Sequence, residues 1–257
     1  MNKLKLALKN NEVSFGAWIQ IGHPAIAEIL ANNGFDWICI DLEHGVIDIE
    51  TMTNIFRAIE KYNCVPIVRI PVNDPVWIHR VLDAGAKGLI IPMINNSKDA
   101  QKAVEEAKYP PIGKRSFGYS RSNLYGENFN KYVKNINNEI IIILQIEHVS
   151  AINNLEDILA VEGFDGTLIG PYDLSGSMGI VGEFDNIKFK EVLDKYLNLS
   201  KLYDKKIGIH VVRPTKENIK EVIKKGYKFI ALGTDAVFLE EKSKKILEFR
   251  KINETEL

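Results

Sequence analysis

Two acidic residues follow apolar runs in which a charge is hard to accommodate. Glu147 closes the run Ile140 to Glu147, and Asp173 lies in Gly170-Pro171-Tyr172-Asp173-Leu174-Ser175, just after Thr167 to Ile169. A carboxylate taken out of water is costly unless a cation or a hydrogen-bonding network receives it. With no thiolate or histidine cluster beside them, two such groups suit a hard divalent ion, Mg2+ or Mn2+, with Co2+ a further candidate. Such an ion keeps several positions for water and substrate oxygens. The competing reading pairs them with basic residues, or makes Asp173 a helix cap.

Arg69 stands between Val68 and Ile70. A guanidinium does not shed its charge, so this position requires an anion, either a protein carboxylate or a substrate oxyanion. His44, in Asp41-Leu42-Glu43-His44-Gly45, can act as a general base if a carboxylate holds its tautomer; Asp41, Glu43 or the more distant Asp83 are candidates. His210 falls near another strand end, where it could line a pocket. A lysine forming a Schiff base would have to sit near a strand's carboxyl end. Lys87, Lys206 and Lys228 instead precede apolar runs, and Lys98 and Lys114 fall in a helix or an irregular stretch, so a metal is the better electron sink.

The elements that must position these groups are short apolar runs: Phe15 to Ile21, Trp37 to Glu43, Pro66 to Ile70, Leu89 to Ile94, Ile140 to Glu147, Thr167 to Ile169, Ile207 to Val212 and Phe229 to Gly233. Several are continuously apolar, as parallel strands covered on both faces should be. Helical spacing fills the intervals: Pro24 opens one helix and Gly34 closes it, and Asp48, Asp74, Ser97 and Ser150 are expected N-caps. Strand then helix, eight times over, predicts a single-domain (β/α)8 TIM barrel spanning 1–257, with the reacting groups at the carboxyl ends of the strands. A doubly wound sheet would show GxGxxG after the first strand, where the chain has Gly22-His23-Pro24. An excursion over about 109–139 carries Phe117, Tyr119, Tyr125, Phe129 and Tyr132, which are expected to be buried.

The chain has 257 residues, 46% of them hydrophobic, enough for one large core. Thirty-three basic residues against thirty-four acidic ones leave a formal charge of −1, without the electrostatic footprint of a nucleic-acid or anionic-membrane binder, and a small-molecule partner is favoured. Cys39 and Cys64 lie in apolar runs and read as buried reduced thiols. No stretch has the form of a signal peptide or membrane span, so the expected location is cytoplasmic.

In order along the chain, Gly34-Phe35-Asp36-Trp37, Asp41-Leu42-Glu43-His44, Val68-Arg69, Leu82-Asp83-Ala84-Gly85-Ala86, Ile91-Pro92-Met93, Tyr109-Pro110-Pro111-Ile112-Gly113-Lys114-Arg115, Gln145-Ile146-Glu147, Val161-Glu162-Gly163 and Gly170-Pro171-Tyr172-Asp173-Leu174-Ser175 resemble the HpcH/HpaI aldolase family. These are metal-dependent class II pyruvate aldolases of the 4-hydroxy-2-oxoheptanedioate and 2-dehydro-3-deoxyglucarate aldolase type. The resemblance implies cleavage of a 4-hydroxy-2-oxo acid to pyruvate and an aldehyde. It implies that Glu147 and Asp173 hold the metal, that His44 is the base, made more basic by Asp83, and that Arg69 stabilises the enolate. Gln145, Tyr172 and Asp173 would contact the pyruvyl part, the last two through their backbone. It also implies a homo-oligomer, typically a hexamer, with active sites near subunit contacts. Tyr172 stands where the family often has a small residue, which narrows the pocket. Ser116-Phe117 stand where Gly is common, and aldehyde specificity is expected to vary in the excursion beyond them. The alternatives are a citrate-lyase-like CoA-thioester lyase and a non-catalytic oxo-acid-binding barrel.

Overall fold

The computed structural model describes residues 2–248. Eight parallel strands close into a barrel in sequence order: β1 (Ser14–Ile19), β2 (Trp37–Asp41), β3 (Val65–Arg69), β4 (Gly88–Ile91), β5 (Ile141–Ile146), β6 (Gly166–Ile169), β7 (Lys206–Val211) and β8 (Phe229–Thr234). Each expected run overlaps its strand, although six of the eight strands (β1, β3, β4, β6, β7 and β8) extend one residue beyond it, and the chain is one (β/α)8 domain. β4 is shorter than the run that predicts it. Pro92 has no N–H to donate, and Met93 adopts a positive φ of 54° that leaves the strand path.

Alternation along the strands builds two cores. Outward-facing residues such as Ile38, Ile40, Val68, Leu89, Ile142 and Leu144 pack under the helices. Inward-facing Trp37, Cys39, Ile67, Ile90, Ile143, Leu168 and Phe229 fill the barrel. Trp37 lies flat on Phe229 at 3.9 Å between centroids. A Cβ at Gly16 would come within 2.1 Å of the Trp37 indole, so that position admits no side chain. The helix Lys3–Lys9, which the sequence reading did not identify, puts Leu4 and Leu8 into the inner core. Asn2, Lys3 and Lys5 bond to carbonyls of Lys87, Asn63 and Ile140, at the amino ends of strands, so this helix plugs the end of the barrel opposite the chemistry.

Asp48 and Asp74 cap their helices, accepting from the amides of Thr51 at 2.7 Å and Val76 at 2.8 Å. Ser97 and Ser150 do not. The residue before each helix carries the acceptor: Asn96 Oδ1 takes the Asp99 amide at 3.0 Å, and His148 Nδ1 takes the Ser150 amide at 3.1 Å. Both cysteines are buried and free; Cys39 is in β2, while Cys64 directly precedes β3.

The excursion contains a 3-10 turn (Arg121–Gly126) and a helix (Phe129–Ile136). Of its five expected core aromatics only Tyr132 is buried. Phe117, Tyr119 and Tyr125 are exposed, and Phe117 and Tyr119 pile on Phe129 instead of entering the core. The buried ring at its start is Tyr109, with the Arg115 guanidinium 4.6 Å above it.

Candidate functional site

The carboxyl ends of β2, β3, β5 and β6 bring the charged residues together. Asp41 and Arg69 are register partners at the ends of adjacent strands. Arg69 donates from Nε to Asp41 Oδ1 at 2.9 Å and from Nη2 to Oδ2 at 2.7 Å, and Nη1 lies 3.0 Å from Glu43 Oε2. The anion that Arg69 requires is therefore a pair of protein carboxylates, which lock the fork in place. Burial works to raise the Asp41 carboxyl, but the hydrogen bonds and charge of Arg69, with Gln20 and the His44 amide, hold it below the usual range. Gln20, which the sequence reading passed over, donates to Asp41 Oδ2 at 3.1 Å. Glu43 moves the other way: burial raises it, and the negative charge of Glu147 adds to the effect.

Glu147 is only 4% exposed. Its Oε1 accepts from the Met93 amide at 2.7 Å, which is what the departure of Met93 from the strand path provides, and Oε2 accepts from Gln145 Nε2. Those bonds do not neutralise it, and burial, with Asp173 nearby, raises its pKa. Gly170 is required beside it, because a Cβ there would fall 2.7 Å from Glu147 Cβ. Asp173 sits exposed in the first turn of the helix Pro171–Ser177, whose N-cap is Gly170. Among the described residues its side chain makes no hydrogen bond or ion pair, so it is not acting as a cap.

Among the described residues, Asp41 and Glu43 pair with Arg69, while Glu147, with Asp173 near it, forms no ion pair, so the excess charge here is negative. Among the described residues no three His, Cys, Asp or Glu side chains form a ready-made metal cage. Among the described residues the buried amide oxygen of Gln145 has no hydrogen-bond partner. Two carboxylates plus an orphaned acceptor fit a hard divalent ion whose other positions are filled by water and substrate oxygens.

His44 follows β2 and is exposed; its amide bonds to Asp41 Oδ1 at 3.3 Å. Asp83 is not beside it. The helix Pro75–Ala84 runs back from the end of β3, so Asp83, near its last turn, lies at the opposite end of the barrel, 2.6 Å from Arg115 Nη2.

A cavity of about 660 Å3 opens from these residues, lined by Trp18, Arg69, Gln145, Tyr172, Asp173 and His210, among others. The Tyr172 ring meets Phe184 edge-on at 5.0 Å and forms part of the wall. Arg213, Lys190 and Lys225 also line it, and each is paired: Arg213 with Glu240 and Glu241, Lys190 with Asp185, Lys225 with Glu221. No residue of 109–139 lines it within one chain, because the helix Ser97–Ala107 delivers that segment to the far end of the barrel. A cavity of about 650 Å3 between the helices Ser97–Ala107 and Leu155–Leu159 is as large but holds none of these groups.

The family model described as HpcH/HpaI aldolase/citrate lyase matches residues 14–240. The chain is 34% identical over 235 residues to a 5-keto-4-deoxy-D-glucarate aldolase of Salmonella arizonae, covering 91% of each. Among solved structures, it resembles an HpcH/HpaI aldolase/citrate lyase family protein from Burkholderia cenocepacia at a TM-score of 0.93 and 29% identity, covering 98% of this chain and 100% of that one. It also resembles an HpcH/HpaI aldolase from Desulfitobacterium hafniense at 0.91 and 28%, covering 97% of each.

Proposed function

The chain belongs to the HpcH/HpaI aldolase/citrate lyase family and is a class II pyruvate aldolase, and we propose that its named site residues cleave a 4-hydroxy-2-oxo acid to pyruvate and an aldehyde and join the two in reverse. The observation that carries the site assignment is Glu147, a buried carboxylate that forms no ion pair among the described residues, beside Asp173, likewise without one, at the mouth of the cavity. In this reading Glu147 and Asp173 hold Mg2+ or Mn2+, with Co2+ a further candidate. When bound, the ion supplies a Lewis acid for the carboxylate and keto oxygens of the pyruvyl group.

The remaining work falls to the chain. His44 takes the proton of the C4 hydroxyl as the C3–C4 bond breaks; C4 becomes the aldehyde carbonyl and the bond's electrons pass to C3 and the keto oxygen. Arg69, already fixed by Asp41 and Glu43, places its positive charge where that oxygen gains negative charge, with no reorganisation at the moment of reaction. The backbone of Tyr172 and Asp173 and the amide of Gln145 orient the pyruvyl part. Protonation at C3 releases pyruvate. Asp83 lies across the barrel from His44 in the same chain, so its proposed effect on the base requires Asp83 of a second copy. That agrees with the hexamer implied by the family resemblance, and light scattering on the purified protein tests the assembly. A CoA thioester would call for free cations along the groove, and Arg213, Lys190 and Lys225 are each paired.

The test is pyruvate release from a panel of 4-hydroxy-2-oxo acids. EDTA should abolish it, a hard divalent ion should restore it, and borohydride added with pyruvate should leave the enzyme active and unmodified. A covalent pyruvate adduct by intact mass, with activity indifferent to EDTA, would overturn the mechanism.

A further inference from the structure

A second group of chemically capable side chains lies outside the rim site, between the helices Pro75–Ala84 and Ser97–Ala107 and the start of the excursion. His79, on the first helix, has Nε2 3.1 Å from Glu106 Oε2, in the last turn of the second. Its other nitrogen, Nδ1, lies 3.4 Å from the hydroxyl oxygen of Ser116. A carboxylate only accepts, so Nε2 carries the hydrogen and Nδ1 keeps a lone pair for the serine. The hydrogen bonds therefore run one way, from Ser116 O–H to His79 and from His79 N–H to Glu106. A hydroxyl, a base and a carboxylate that orients the base form the arrangement that activates a serine, whatever their order in the chain. The Ser116 contact is long, as such contacts commonly are before a substrate tightens them. His79 and Glu106 are half-buried and Ser116 is exposed, so the base is held while the hydroxyl is open to an arriving molecule.

The backbone around Ser116 is fixed on both sides. The Arg115 amide donates to the Lys108 carbonyl at 2.9 Å, the Phe117 ring lies flat on Tyr109 with centroids 4.7 Å apart, and Asn123 Nδ2 donates to the Gly118 carbonyl at 2.7 Å. Among the described residues the amides of Phe117 and Gly118 have no acceptor. They follow the hydroxyl directly in the chain and are the donors available to a developing oxyanion. Chain neighbours aside, nothing lies within 4 Å of a Cβ built at Gly118, which leaves room for a small group. The neighbouring cations are paired, Lys114 with Glu105 and Arg115 with Asp83, and Phe117 offers an exposed ring, so an uncharged ligand suits this surface.

We propose that Ser116, His79 and Glu106 form a second, metal-independent site that cleaves short-chain carboxylic esters through an acyl group on Ser116. Ser116 Oγ bonds to the ester carbonyl carbon and its proton passes to His79 Nδ1. The carbon–alkoxy bond then breaks, and the alcohol leaves with that proton. In the second half His79 takes a proton from water as the water oxygen attacks the acyl carbon; the acid departs and the proton returns to Ser116 Oγ. Glu106 holds the ring in the required tautomer and offsets the charge it gains. This activity stands apart from the aldolase reading and shares no residue with it.

The experiment follows release of p-nitrophenolate from p-nitrophenyl acetate by the full chain in EDTA, with acid quenching and peptide mass spectrometry to locate the acetyl group. The wild type should carry acetyl on Ser116, and Ser116→Ala should lose both that adduct and the enzymatic release. His79→Ala should slow acetylation of Ser116 by roughly 10²-fold or more. Acetyl found only on other residues, or release undiminished in Ser116→Ala, overturns the proposal. Unchanged acetylation in His79→Ala also overturns it, by reducing the His79 contacts to a tie between helices; if that variant does not fold, Ser116→Ala and the position of the adduct decide. Pyruvate release from 4-hydroxy-2-oxo acids, measured alongside, keeps the two readings distinct: ester cleavage that EDTA abolishes and a divalent ion restores belongs to the rim and defeats this proposal, whereas failure of pyruvate release alone defeats only the aldolase mechanism.

Discussion

Glu147→Gln distinguishes a carboxylate kept for a cation from one kept for the fold. Glu147 accepts two hydrogen bonds, and its replacement can preserve both contacts: the new amide oxygen accepts from Met93 N–H, while its NH2 turns toward Gln145. That would set two donors against each other, except that Gln145 Oε1 is unpartnered and a flip of the Gln145 amide presents it as the acceptor. The variant therefore loses a buried charge without losing hydrogen bonds, and the metal-free variant should melt no lower than the metal-free wild type at pH 7. The sign of the pH dependence follows. A carboxyl whose folded pKa is raised by burial disfavours the folded state above that pKa, so the handicap of the wild type should fade as pH falls through it toward the ordinary carboxylate range. Metal reverses the ranking. At a concentration near 100 times Kd, a bound ion stabilises the wild type by about 2.7 kcal/mol, a rise of roughly 5–10 °C for a domain of this size, and the variant should show little of that rise. Melting followed by circular dichroism, with EDTA and then with Mg2+ or Mn2+, reads both effects. A metal-free variant destabilised by the roughly 1–3 kcal/mol expected when a buried polar partner is lost, together with an undiminished metal shift, would refute the reasoning and return Glu147 to a structural role.

His44→Ala should lower aldol cleavage by roughly 10²–10⁴-fold while pyruvate still protects the protein from thermal unfolding; near wild-type turnover would remove His44 as the base. Asp41→Asn keeps the shape of the group beside Arg69 but removes its charge. Because the folded Asp41 pKa is depressed, its stabilisation is present above the unfolded value of about 3.9 and is lost as pH falls through the folded one. Urea midpoints should accordingly show wild type and variant converging below about pH 4, and a constant gap across that range would contradict the pairing. Mixing His44→Ala with Asp83→Ala chains after dissociation and reassembly should recover activity that neither has alone, since some sites would then combine an intact His44 with an intact Asp83 from another copy; recovery no greater than the sum of the parts would count against a site shared between copies.

The sequence by itself determined the barrel and the roster of charged residues at its rim. Parallel strands covered on both faces must be apolar throughout, so runs such as Ile140 to Leu144 announce themselves, and a charge at the end of such a run has to be received by something. That was enough to single out Arg69, Glu147 and Asp173 and to require an anion for Arg69. Which anion was decided only by closure of the sheet: the register that sets Asp41 opposite Arg69 joins residues 28 apart in the chain, and no local spacing encodes it. The direction of the helix after β3 likewise carried Asp83 away from His44 to Arg115, and the helix before the excursion carried 109–139 to the far end of the barrel. The departure of Met93 from the strand path, the stack of His210 on Trp18 and the plug formed by Leu4 and Leu8 are also products of assembly. Apolar periodicity fixes which face of an element is buried, whereas the partner of a polar side chain depends on where other elements end, which is settled only when the barrel closes.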